Sequence, residues 1–175
     1  MIKALGSHLD LDSEEGYNSE YYSYVSDLLD SDVVCSMKEY IQHGGITTFQ
    51  HCLNVSYYNY LICKLFSLDA RAGARAGLLH DLFLYDWHTD KKPSHAYLHP
   101  RTALENAEKH FELSNMEKDI IAKHMYPVTI THFPKYRETW VIIMVDKWCA
   151  LAETTLAIAS KVRRLLSFRR SRIEF

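Results

Sequence analysis

Apolar residues recur at three- and four-residue spacing along most of the chain, while strictly alternating stretches never exceed a few residues. That period predicts helices rather than strands. The first two fall at 21–29 and 33–41, and His43-Gly44-Gly45 reads as a glycine stop after the second, with His43 near its C-terminal dipole. Thr47 or Thr48 caps the next helix, which passes through His51 to about Phe66 with Cys52, Val55, Asn59 and Ile62 on a common stripe. A small-residue helix over 70–81 follows. In it Gly73 and Gly77 stand four residues apart, so they share a face and invite close approach of a neighbouring helix, at roughly 0.5–1 kcal/mol per glycine relative to alanine.

Beyond Asp86 the polar, proline-bearing run 87–95 reads as a loop. Pro100 fits the first turn of a helix ending near Phe111, and Ser114-Asn115-Met116-Glu117 has the form of a capping box that starts another, stopped by Pro127. After a loop over 129–137, a long apolar helix spans 140–159. The expected fold class is all-α, a single-domain helical bundle: an acidic arm at 1–20, a helical domain at 21–160 and a basic tail at 161–175.

With 175 residues the chain can bury one sizeable core and is short for two domains. Twenty Lys and Arg against 22 Asp and Glu leave a net charge of -2, so global charge recruits neither nucleic acid nor a membrane surface. Six basic residues interleave with apolar ones over 161–172, which reads first as a solvated helix end and second as a contact for a membrane surface or nucleic acid. Four cysteines without a CxxC pair, and a start lacking the apolar run of a signal peptide, point to a reduced, cytoplasmic protein. No apolar stretch approaches the ~18 residues of a membrane span.

The ten histidines carry more information. His80-Asp81 precedes the apolar Leu82-Phe83-Leu84, and Asp146 lies inside Val141-Ile142-Ile143-Met144-Val145-Asp146. A carboxylate among that much hydrocarbon needs a strong partner, and one cation serves both together with His51. At these residues the chain resembles the HD-domain metal-dependent phosphohydrolase superfamily, whose motif is His, then His-Asp, then Asp on separate helices; here these are His51, His80-Asp81 and Asp146. The likeness covers about residues 30–155. His99 and His124 stand where two-metal members supply further histidines.

The resemblance therefore implies a binuclear site for two divalent transition metals, Fe, Mn or similar. His51, His80 and Asp146 would hold one ion, His99 and His124 the other, and Asp81 would bridge them, with His80 and Asp81 central to catalysis. A water ionised between two such ions attacks phosphorus in line. The implied substrate is a small phosphate ester, with a nucleotide among the candidates. Arg101, Lys147 and His43 are the residues expected to bind it, ahead of Lys91, Lys92 and Lys123. His88, His95 and His132 are expected in loops, and Tyr85, Trp87, Tyr126 and Trp148 in packing or stacking roles.

The branch that cleaves cyclic dinucleotides has a Gly-Tyr-Pro signature and a lysine after His-Asp; here the corresponding run is His124-Met125-Tyr126-Pro127 and Leu82 follows the pair. Small nucleotide hydrolases are nearer in size. The same ligand set also suits a di-iron oxygenase, and a metal-bearing regulatory module without turnover is the third reading. Oligomeric state is left open by the sequence.

Overall fold

A computed structural model describes residues 3–5, 19–89 and 95–171 of the chain. The elements are α1 (Ser19–Leu29), α2 (Asp32–Cys35) continued by a 3-10 turn (Ser36–Glu39), β1 (Ile41–His43), β2 (Ile46–Thr47), α3 (Thr48–Leu65), α4 (Ala70–Leu79), α5 (His95–His110), α6 (Asn115–Lys123) and α7 (Arg137–Ser171). The fold is mostly helical. Residues 6–18 of the arm, Lys91, Lys92 and residues 172–175 lie outside the described residues, while Ser19 and Glu20, expected in the arm, open α1.

Helix α3 is the axis of the bundle, buried along most of its length from Thr48 to Cys63. Thr47 caps it by accepting from Gln50 N at 3.2 Å, so its first turn begins three residues before His51. Against one side lies α4, capped by Asp69. A Cβ on Gly77 would sit 2.7 Å from Ser56 Cα, and one on Gly73 would sit 2.9 Å from Cys63 Sγ. Gly77 thus marks the near-contact of two backbones, and Gly73 the close approach of a side chain. Ser56 Oγ stitches it by donating to Ala74 O at 2.7 Å.

Arg75 leaves α4 on another side and joins three elements. It donates to both carboxylate oxygens of Asp27 (2.6 and 2.9 Å), to Tyr24 O (2.8 Å) and to Glu117 Oε1 (3.1 Å). Helix α6 opens with the expected capping box between Ser114 and Glu117. Asp119 then ties it to the start of α7 by accepting from Thr139 Oγ1 at 2.7 Å and Lys135 N at 3.0 Å. The core is built from residues such as Tyr21, Leu53, Leu78, Ile120 and Ile142, all fully buried.

Four expectations are corrected. The helix expected over 33–41 gives way at Tyr40 to an antiparallel hairpin pairing Ile41 with Thr47 and His43 with Ile46. Gly44 and Gly45 are its turn, at φ 58° and 96°, the positive pair that two-residue hairpins require, and not a helix stop. A side chain on Gly44 would also strike Ala157, 2.6 Å away. Pro100 lies inside α5, whose first residue is His95, not in its first turn. Finally, α7 does not end near 159; the helix runs on through Ser171 and takes in most of the basic tail.

Candidate metal centre

The end of α4 sets the site. Helical hydrogen bonding stops at Leu79, His80 is the C-cap, and Phe83 N donates back to Asp81 O at 2.8 Å. Leu84 then takes φ 54°, a conformation rare for a branched side chain, so the backbone is bent sharply just after His80-Asp81. Asn106 of α5 holds this bend by donating to Leu82 O at 2.7 Å. The result is that Asp81 projects from a tight corner into the bundle, 3% exposed.

Around that corner the six expected ligands converge. His51 Nε2 is 3.1 Å and His80 Nε2 3.7 Å from Asp146 Oδ1; His80 Nε2 is 3.4 Å from Asp81 Oδ2. On the other side Asp81 Oδ1 faces His99 Nε2 at 3.2 Å and His124 Nε2 at 3.5 Å. His51, His80 and Asp146 form one group of ligand atoms, and His80, Asp81 and His124 a second. Asp81 turns one oxygen toward each side.

The tautomers of three rings follow from their outer contacts. Nδ1 of His80, His99 and His124 lies 2.8, 3.0 and 2.8 Å from the carbonyls of Gly77, His95 and Ile121. A carbonyl only accepts, so each Nδ1 carries a proton and Nε2 is the nitrogen turned inward, with a lone pair whenever the ring is neutral. His99 Nε2 and His124 Nε2 then stand 2.9 Å apart, lone pair to lone pair. Such a contact is repulsive without a cation between the rings. Two nitrogens bound at about 2.1 Å to one metal and roughly at right angles are separated by about 3 Å, which matches. His80 Nε2 and Asp81 Oδ1, both buried, have no hydrogen-bond partner among the described residues. The donor set of imidazoles and carboxylates therefore fits a transition-metal ion, and the buried His and Asp groups can hold one.

Electrostatics agree with a site that carries positive charge in one form or another. Burial opposes charge on every group here. At His51 the hydrogen bonds it donates to Asp146 and Glu153 overcome that opposition and push the imidazole up to about 10. His80 is raised well above its ordinary value against burial, chiefly by the charge on Asp81. Asp81 is held well below the usual carboxylate range against burial, by His80 and His99. His124 moves the other way, because burial dominates there.

Two residues of the site escape sequence reasoning. Glu153 is fully buried and accepts from His51 Nδ1 at 2.9 Å and from Asn54 Nδ2 at 2.7 Å, which aims His51 Nε2 at Asp146. Its signal was present, since it lies seven residues after Asp146 on the same face of α7. Gln42 donates to Asp81 Oδ2 at 2.6 Å and is steadied by Thr48 Oγ1, 3.3 Å from its own Oε1. Nothing in the sequence pattern distinguishes it.

A cleft of about 310 Å³ opens onto the ligands, lined among others by Gln42, His43, Trp87, His95, Met125 and Lys147. His43, in β1, sets its ring edge-on to His51 at 5.2 Å, and burial, with the charge on His51, lowers its imidazole below the ordinary value. Trp87 stacks on His95 at 5.2 Å and 8°. Burial, reinforced by the neighbouring His99, lowers His95 to about 4. Arg101 is elsewhere: it points to solvent, pairs with Glu105 at 2.8 Å and lines a separate depression with His132 and Lys123. Tyr126 packs against Phe133 and Trp140, and Trp148 against Tyr58, both away from the ligands.

No family model, no curated protein and no solved structure matches this chain. No helix among the described residues is long and apolar enough to cross a membrane.

Proposed function

We propose that this chain is a metal-dependent phosphohydrolase of the HD-domain type, acting on a small phosphate ester or a nucleotide at a binuclear centre. The observation that carries the reading is the position of Asp81, one oxygen of which faces His80 while the other faces His99 and His124. A pair of divalent cations, when bound, supplies a Lewis acid for the phosphoryl oxygens and ionises a water near neutral pH.

The chain's own residues do the rest. Gln42, braced by Thr48, fixes the rotation of Asp81. The Glu153–His51 contact and the three carbonyl contacts fix the ring planes, so the ligand atoms need not reorganise during a turnover. Lys147 lies on the cleft wall next to Asp146 and supplies positive charge to a bound phosphate. The stacked Trp87 and His95 form an apolar wall against which the organic part of an ester rests.

The test is elemental analysis of the isolated protein, followed by a phosphoester panel with Mn, Fe, Co and Ni. Phosphate release is expected, and Asp81→Asn should reduce it by more than about 100-fold together with metal content. Absence of phosphate release with every metal removes the proposal.

The cleft also favours a second reading. Among the described residues Lys147 is the cation that lines it, a sparse provision for an anionic substrate. A di-iron oxygenase on the same ligands would consume oxygen in the reduced form, and a redox-inert metal in the cellular protein would count against it.

A further inference from the structure

Helix α7 has two unlike halves. Up to Ala157 its inner face is packed in the bundle, Glu153 being the last fully buried residue. Every residue from Ile158 to Arg164 is exposed, so this end of the helix projects from the body. Yet the outer face of α7 is apolar throughout. Met144 (71% exposed), Trp148 (51%), Leu151 (67%), Ile158 (58%) and Val162 (48%) follow one another, with Thr155 completing the series, at intervals of four and three residues. That is a heptad seam, the spacing with which one helix packs along another.

We infer that this seam is the dimer interface of the protein, and that its occupant is α7 of a second copy running antiparallel. Three observations converge on that occupant. First, the seam is symmetric about Glu153: an antiparallel pair centred there sets Met144 opposite Val162, Trp148 opposite Ile158 and Leu151 opposite Thr155, a large side chain against a smaller one in each layer. A two-fold interface needs such self-complementarity.

Second, shape agrees. Beside the first half of the seam run two adjoining grooves of about 380 and 450 Å³ that share Tyr58 and Trp148. In the antiparallel arrangement the exposed end of each helix lies along these grooves of its mate. With roughly 150–250 Å² for each large apolar side chain, the exposed fractions of the five apolar seam residues and Leu156 leave about 600 Å² per copy, near the ~800 Å² per partner of a stable interface. The polar flanks supply the remainder.

Third, charge selects the direction. Lys161, Arg163 and Arg164 all lie at the projecting end. A parallel pair would bring these cations together; the antiparallel one separates each from its copy by about 24–33 Å at 1.5 Å per residue, beyond the screening length of ~8 Å at physiological salt.

The experiment is sedimentation and light scattering of the full chain from 1 to 100 μM. The expected species has twice the 20.4 kDa chain mass. The double substitution Ile158→Glu with Val162→Glu changes only exposed positions, and is expected to weaken association at least 100-fold with an unchanged far-UV spectrum. In a Cys35→Ser background, Leu151→Cys with Thr155→Cys should form an intermolecular disulfide that Leu151→Cys alone does not. A monomer at every concentration overturns the inference, and co-sedimentation of that monomer with anionic vesicles would assign the face to a lipid surface instead. A dimer untouched by the glutamates, or cross-linked through Leu151→Cys alone, overturns it equally.

Discussion

Adding one methyl group at Gly77 probes the contact on which the site is built. The new Cβ would lie 2.7 Å from Ser56 Cα and 3.0 Å from Ser56 N, where ordinary contacts begin at 3.4 Å. Both neighbours are backbone, so α3 and α4 must part by up to about 0.7 Å. Overpacking of this kind costs about 1–3 kcal/mol, and the better helix propensity of alanine returns about 0.5–1 kcal/mol. A net loss of roughly 1–2 kcal/mol remains, which for a domain of this size lowers Tm by about 3–6 °C. The separation also shifts the Gly77 carbonyl that orients His80, so metal affinity should fall with stability. Gly73→Ala is the control, because its Cβ meets a side chain, Cys63 Sγ at 2.9 Å. It should change stability by less than about 0.5 kcal/mol and couple favourably with Cys63→Ala in a double-mutant cycle. Thermal and urea unfolding of the four variants, with metal titration of each, measures all of this. If Gly77→Ala is as stable as the parent, or indistinguishable from Gly73→Ala, the backbone-contact argument is wrong.

Three further outcomes are expected. Arg75→Ala leaves the buried Glu117 carboxylate without its cation, so a loss of about 3 kcal/mol is expected in urea unfolding; a loss below about 1 kcal/mol would show that the three-way tie is ornamental. Glu153→Gln retains the shape but can accept from only one of His51 and Asn54, so metal affinity should drop about 10- to 100-fold while the far-UV spectrum is unchanged; equal affinities would remove Glu153 from the site. In chelator-treated protein, His51 is raised to about 10 from an ordinary value near 6.5. A base raised on folding stabilises fully below its unfolded value, so metal-free stability should decline between pH 6.5 and 10, whereas metal affinity should rise over the same window as the proton is displaced. Parallel Tm profiles for metal-free and Mn-loaded protein would contradict this.

The parts of the fold that the sequence made legible are those where local chemistry has a single outcome. Ser114 with Glu117, and Thr47 before an apolar stripe, announce helix starts because few other arrangements satisfy the free N–H groups there. Asp81 and Asp146 stood out because a carboxylate among hydrocarbon requires compensation, and their convergence with His51, His99 and His124 is the geometry that requirement produces. Gly44-Gly45 misled because paired glycines suit a helix stop and a hairpin turn equally, and only the pairing with Ile46 and Thr47 decides. Pro100 misled similarly: a proline lacks its N–H in the second turn of α5 as well as in the first. The extent of α7 was hidden because exposed apolar and basic residues in alternation resemble a fraying end.

His51 and its brace Glu153 are separated by 102 positions, with the other ligands of the cluster strewn between them. During synthesis, therefore, no emerging fragment presents a finished cavity. On the metal-binding reading, an ion would meet the full donor set only once α7 has packed against α3.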